Sequence, residues 1–167
     1  NGRIIAKMNA LDDVEMIREL YRASEAGVSI DLIVRGHCRL RPGLPRFSSN
    51  IRVISVVGRY LEHSRIYYVR HTDAQRVFIG SAEWQRRNLD DRVEAIVELD
   101  DPILKARMIR TLRLTLEDQA TAWELHADGQ YLKREPRNDK EKTGIQGLLM
   151  DRARIRLEKE ESPWDIE

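Results

Sequence analysis

Apolar positions along this chain come in short runs separated by polar punctuation. Arg3 to Met8 is one such run and predicts a buried strand. Behind it Leu11, Val14, Ile17, Leu20 and Tyr21 recur at helical spacing. They predict a helix from Asp12 to Ala26, capped at its start by Asn9 or Asp12 and closed by Gly27. Ser29 to Val34 is the next strand. Strand, helix and strand with short connections predict a right-handed parallel unit, and ligands of such sheets gather beyond the carboxyl ends of the strands. Arg35-Gly36 sits at such an end, where Gly36 lets the backbone turn sharply and frees Arg35 to point into a site.

His37 to Asn50 holds two prolines, a glycine and two serines, and reads as a loop. It carries Arg39, Arg41 and Arg46, so it is either a solvated surface loop or a flexible basic wall that follows a polyanion. Ile51 to Val57 predicts a third strand, and Gly58 to Glu62 a turn that carries His63 to the rim. Ser64 to Val69 and Arg76 to Gly80 form a hairpin across a polar turn. Arg92 to Leu99 reads as a further strand. Asp101-Pro102 opens a helix whose apolar face, Ile103, Ala106, Ile109, Leu112 and Leu116, runs to about Ala120 and covers the sheet. Short strands flank a turn at Asp128-Gly129. Lys133 to Lys142 is charged and reads as mobile. Ile145 to Lys159 reads as a helix that docks through Leu148, Leu149, Ala153 and Ile155, on this domain or on a neighbouring chain. The sum is an α/β chain with a mixed sheet flanked by helices.

Composition narrows the function classes. The 167 residues fit one domain with its own core. Lys and Arg total 29 against 28 Asp and Glu, which argues against a surface that tracks nucleic acid throughout. A local basic site remains open, because arginines cluster in the middle of the chain. The single cysteine, Cys38, excludes an internal disulfide and fits a reducing compartment; beside a strand end it reads as a packed thiol rather than a nucleophile. No apolar run approaches the ~20 residues of a membrane helix, and no signal peptide is evident. The chain enters an apolar strand directly after Asn1-Gly2, which reads as a piece of a longer protein.

The chemistry concentrates between Ile51 and Glu94. There, apolar strands carry one histidine and several arginines at their ends, which is how a phosphate site is built on a sheet. Phosphoryl transfer needs charge stabilisation above all. In this reading His63 handles a proton or contacts the transferring group, and Arg35 and Arg92 hold phosphate oxygens. Glu62 or Glu94 orients the imidazole. His71 and His126 read as surface residues, and His37, close to Arg35, falls between. Ser81 has no base at motif distance; its hydroxyl and Gly80 either bond a phosphate or allow close packing. Trp84 reads as a packing residue. His37 and Cys38 show no metal-ligand spacing, and the His-x-Arg word occurs once, without an internal repeat.

His63-x-Arg65, followed by Gly80-Ser81, Asn88 and Glu94, resembles one half of a phospholipase D-type site, with Arg65 where lysine is usual. The surrounding words are more specific. Val34-Arg35-Gly36, Ser49-Asn50-Ile51-Arg52, Arg59-Tyr60-Leu61-Glu62-His63 and Ser81-Ala82-Glu83-Trp84 with Arg87-Asn88 together resemble the last catalytic domain of polyphosphate kinase. The resemblance implies a phospholipase D-like domain over 1–134, followed by a charged linker and helical tail over 135–167. It implies reversible transfer of the terminal phosphate of ATP to polyphosphate, with ATP contacted by Arg35 and His63 and Arg92 near the phosphates. Arg65, Ser81, Arg87, Asn88 and Glu94 are weaker candidates. It further implies magnesium, whose ligands lie with a phosphohistidine in the preceding domain, outside this chain. ADP and ATP, polyphosphate, the upstream domains and further copies in a homo-oligomer are the implied partners, without nucleic acid. The implied place is the cytoplasm or the inner face of the membrane. Such a piece is inactive alone. Two rival readings stand beside this one: a phospholipase D-type phosphodiesterase assembled as a homodimer, and a non-catalytic polyanion-binding module.

Overall fold

Strand β1 (Arg3–Met8) is buried along both of its faces, with Ile5 on one and Ala6 and Met8 on the other. A strand covered on both sides belongs in the interior of a sheet with helices on each face. A computed structural model, which describes residues 2–158, places it there. The other strands are β2 (Ser29–Val34), β3 (Ile51–Val56), β4 (Ile66–His71), β5 (Ala74–Gly80), β6 (Ile96–Glu98), β7 (Ala122–Leu125) and β8 (Tyr131–Lys133). Among the described residues they form one sheet in the order β6-β5-β4-β1-β2-β3-β7-β8. β1, β2 and β3 are parallel; every other pairing is antiparallel. The expected parallel unit and the β4–β5 hairpin are both present.

Helix α1 (Val14–Glu25) covers the face that carries Ala6, Met8, Leu32 and Val53. Its cap is Asp13, whose carboxylate accepts the Met16 N–H at 2.7 Å, and not Asn9 or Asp12. Asp12 instead accepts the Arg86 N–H and the Gln85 side-chain amide, each at 3.1 Å. Gly27 closes the helix as expected, at φ +83°, and the Val28 N–H reaches back to the Ala23 carbonyl at 2.9 Å.

Helices α3 (Pro102–Glu117) and α4 (Ile145–Glu158) lie on the opposite face, over Ile5, Ile33, Ile54 and Tyr68. Asp101 caps α3 by accepting the N–H groups of Ile103 and Leu104. The packed stripe of α3 is Leu112, Thr115 and Leu116, with Met108 and Ile109 partly buried. Ile103 and Ala106, expected on that stripe, are exposed instead.

Three further expectations change. The strand expected over Arg92 to Leu99 shrinks to β6, because Glu94 and Ala95 are drawn into side-chain hydrogen bonds with Ser81. Helix α2 (Arg86–Asp90) is one short turn without apolar periodicity, which left it invisible in the sequence. Lys133 to Lys142 is charged but anchored. Arg134 pairs with Glu124 at 3.1 Å and donates to the Leu116 carbonyl at 2.8 Å, and a 3-10 turn spans Asp139–Lys142. The tail helix docks on this chain: Ile145 is buried and its N–H donates to Asp118 at 2.7 Å. Leu148 packs partly, whereas Leu149, Ala153 and Ile155 are exposed. Lys159 and the rest of the predicted tail lie outside the described residues. No helix of the described residues is long and apolar enough to cross a membrane.

The offset stripe on α3 is testable. Leu112→Ala is expected to cost about 2–5 kcal/mol, as a fully buried leucine does, and Ile103→Ala less than about 1 kcal/mol. Urea unfolding midpoints of the two variants check this; equal losses would put the stripe back on Ile103.

Candidate functional site

Sheet polarity gathers the candidate residues. β1, β2 and β3 end at one edge. β4 begins there, with Ile66 opposite Lys7, and β5 ends there, with Ile79 opposite Ile66. β6 begins opposite Gly80. Arg35 therefore follows β2, His63 and Arg65 precede β4, Ser81 follows β5 and Glu94 precedes β6, all at the carboxyl edge of the parallel strands.

Three linked groups make up this edge. In the first, Lys7 is buried in the sheet, ion-pairs with Glu62 at 2.9 Å and donates to the Ser64 hydroxyl at 2.8 Å. Burial alone would raise the Glu62 carboxyl. The hydrogen bond and charge of Lys7, the Gln146 amide and the nearby Arg35 outweigh it and hold Glu62 below the usual carboxylate range. Gln146, on α4, donates to Glu62 at 3.0 Å and brackets the backbone of Tyr60 with two 2.8 Å bonds.

In the second group, Arg65 ion-pairs with the buried Glu83 at 2.7 Å. Its Nη1 lies 2.9 Å from Nδ1 of His63 and donates to the His63 carbonyl at 2.8 Å. Its Nη2 lies 3.2 Å from Nε2 of the same ring, so the guanidinium faces both ring nitrogens. Glu83 also accepts the N–H groups of Asn9 and Ala10, at 2.7 and 2.6 Å, and the Asn9 side-chain amide. In the third group, Glu94 accepts from Ser81 and, at 2.6 Å, from the buried Asn88. The Ser81 bond is the main cause of its lowered carboxyl, with Asn88, Arg92 and Arg65 adding to it. Glu62 and Glu94 are thus both engaged elsewhere, and neither orients His63: the neighbour that holds the exposed imidazole is Arg65.

Arg35 forms no ion pair among the described residues. It is half-buried, and its Nη1 is shielded from solvent without a hydrogen-bond partner. Its carbonyl accepts from Ser55 at 2.6 Å and its N–H donates to the Met8 carbonyl, so the backbone beneath the side chain is fixed. Gly36 does not take a positive φ; what it permits is close approach, since a Cβ there would sit 3.3 Å from the Asn9 carbonyl. Gly80 serves close packing likewise, because an added Cβ would meet the Ala95 carbonyl at 2.4 Å. Arg92 and Arg87 are exposed, at the loop before β6 and on α2. Trp84 stacks on Tyr67 with ring centroids 5.1 Å apart, a packing role as expected. Burial pushes the Cys38 thiol up to about 11, which suits a packed group rather than a nucleophile. Lys7, Glu83 and Gln146 were not singled out from sequence. A lysine inside an apolar strand was the available signal for Lys7; Glu83 lay within a quoted word without a role. Among the described residues no three His, Cys, Asp or Glu side chains gather to hold a metal ion.

A family model described as polyphosphate kinase C-terminal domain 2 matches residues 1–146. The polyphosphate kinase of Thermosynechococcus vestitus is 51% identical over 152 residues, which are 91% of this chain and 21% of that protein. The crystal structure of polyphosphate kinase from Porphyromonas gingivalis superposes with a TM-score of 0.86 at 40% identity, over 95% of this chain and 24% of that one. Nuc from Salmonella typhimurium, a phospholipase D family member, superposes with a TM-score of 0.51 at 16% identity, over 66% of this chain and 75% of that one, and shows the fold alone. The fold is the phospholipase D-like mixed sheet flanked by helices. This chain spans about a fifth of the length of the relatives it matches.

The charge network at the edge generates a pH prediction. A carboxyl held low stabilises the fold above its unfolded value of ~4.3 and loses that contribution as pH falls through the folded value. Lys7→Met is expected to move the Glu62 carboxyl upward in a ¹³C NMR titration and to start acid unfolding at higher pH. An unchanged Glu62 titration would remove Lys7 from this role.

Proposed function

Because this chain belongs to the polyphosphate kinase family, matching the second C-terminal domain, we propose that it supplies half of a site for reversible transfer of the terminal phosphate of ATP to a polyphosphate chain. The observation that carries this reading is Arg35. A shielded guanidinium nitrogen without an acceptor, at the carboxyl edge of a parallel sheet, is a donor awaiting a phosphate oxygen. Nearly every other cation buried at this edge is already paired with a carboxylate.

In this reading Arg35 grips the nucleotide phosphates and offsets the charge that builds up during transfer. His63, held against the Arg65 guanidinium, presents its exposed imidazole to the phosphoryl group. Arg92, exposed on its loop, adds a second charge, and Arg87 a weaker one. Ser81, Asn88 and Glu94 bond mainly to one another, so they shape the rim and do not contact the phosphates. The magnesium that accompanies such a reaction finds no fit among these residues. Glu62, Glu83 and Glu94 are each engaged by a cation or by hydrogen-bond donors, so this chain is assigned no metal ligand. In this reading the phosphoryl-accepting histidine and the metal ligands belong to the remaining four fifths of the relatives' length, and the full-length enzyme assembles as a homo-oligomer. A place in the cytoplasm or against the inner membrane face is part of the same reading. No observation favours the phosphodiesterase reading, and Arg65, tied to Glu83, does not stand free as a phosphate-binding cation.

Imidazole NMR of the chain with added ATP tests the half-site. The His63 signals are expected to move while those of His71 and His126 stay, and Arg35→Ala is expected to weaken the response at least tenfold. The chain alone is expected to release no ADP from ATP and polyphosphate. Equal small shifts at all four histidines, or none at His63, would sink the assignment.

A further inference from the structure

The opposite edge of the sheet, where β1 and β3 begin, carries a second feature. A cavity of about 710 Å³ opens there between the sheet and the C-terminal end of α3. That volume lies within the ~300–1,000 Å³ of small-molecule sites, yet the lining is charged. Arg3, Arg52, Arg70, Arg113, Arg134 and Arg137 all reach it.

These arginines divide by what they touch. Arg3 and Arg52 share the buried Asp31, and Arg134 pairs with Glu124. Arg70, Arg113 and Arg137 form no ion pair among the described residues. Arg70 is the most telling, because its Nε is shielded from solvent and has no hydrogen-bond partner. A shielded guanidinium donor without an acceptor is unfavourable unless an anion completes it. Glu117 and Glu135 also line the cavity, but six arginines outnumber the carboxylates that face or back it. The one aromatic lining residue, Tyr68, is buried in the sheet and donates its hydroxyl to Gln75 at 3.2 Å. It offers no free ring face to a nucleobase.

We infer that this cavity is a second anion site, separate from the carboxyl edge, and that it takes an inorganic oligophosphate rather than a nucleotide. Arg70, Arg113 and Arg137 contact the phosphate oxygens. The site itself rests on the geometry; the choice of phosphate over another multiply charged anion rests on the function proposed above. β1 separates the two sites by roughly 17 Å, six residues at ~3.3 Å per step. A chain of phosphates, unlike a single nucleotide, could occupy one edge while its end is handled at the other.

Calorimetric titration of the chain with tripolyphosphate tests this, alongside ATP and citrate. The arginine Nε–H signals are followed by NMR in parallel. Tripolyphosphate is expected to shift the Arg70 signal, and Arg113→Ala and Arg137→Ala, both at exposed positions, are each expected to weaken that response at least fivefold. Arg35→Ala is expected to leave it intact. A cavity response untouched by Arg113→Ala and Arg137→Ala overturns the site. Equal binding of ATP at the cavity overturns the inorganic ligand, and equal binding of citrate overturns the choice of phosphate. Failure of the carboxyl-edge reading shows separately, as an Arg35→Ala variant that binds ATP normally.

Discussion

Glu83 lies buried where three segments meet, and its charge has to be neutralised there. An ionised carboxylate taken out of water costs several kcal/mol unless it is paired and hydrogen-bonded. Glu83 meets that demand with the N–H groups of Asn9 and Ala10, the Asn9 amide and Arg65. Each bond has a structural consequence. The first three clamp the end of β1 onto the segment after β5. The last fixes the guanidinium of Arg65, which in turn lies against the ring of His63. The imidazole is exposed, yet its neighbour is anchored in the core, so the orientation of the catalytic candidate traces back to a buried carboxylate.

Much of the fold was legible because its signals are local. Alternation, helical spacing, Gly27 at a helix end and Asp128-Gly129 at a turn act within a few residues, and the parallel unit and the hairpin follow from them. What was misread depends on contacts between distant segments. The strand expected from Arg92 fails because Ser81, thirteen residues before Glu94, captures its carboxylate. The cap of α1 shifts to Asp13 because Asp12 is taken by Gln85 and Arg86, from the segment after β5. The expected stripe of α3 is right in period and offset along the helix, since periodicity says which residues share a face and not how much of that face meets the sheet.

The site shows the same division. Arg35, His63 and Arg65 were identifiable as residue types in recognisable words, and strand polarity brings them to one edge. Which of them is free and which is engaged was not legible. That is decided by pairing with Lys7, Glu83 and Asn88, whose partners lie up to 74 residues away. Glu62 and Glu94 look equivalent beside a histidine in sequence; in space one neutralises a buried lysine and the other gathers a serine and an asparagine. Both then become unavailable to the imidazole. The unpaired cationic donors at the edge, on which the proposed phosphate site rests, stand out only once paired and unpaired charges are told apart in three dimensions.

The segment from Gly58 to His63 has no regular structure to hold it, so its course is set by what flanks it. Lys7 holds Glu62 from the sheet, and Gln146 holds Tyr60 and Glu62 from α4. Gly58 permits this: a Cβ there would lie 2.6 Å from the Gln146 side-chain oxygen. The start of α4 is fixed in turn by Ile145, buried beneath it and bonded to Asp118 at the end of α3. A boundary drawn after Arg134 would therefore separate the loop that presents His63 from the glutamine that positions it. The family match, which runs to residue 146, ends on that glutamine. The charged stretch between β8 and α4 is better understood as the strap that delivers Gln146 to the site than as a linker leading away from it.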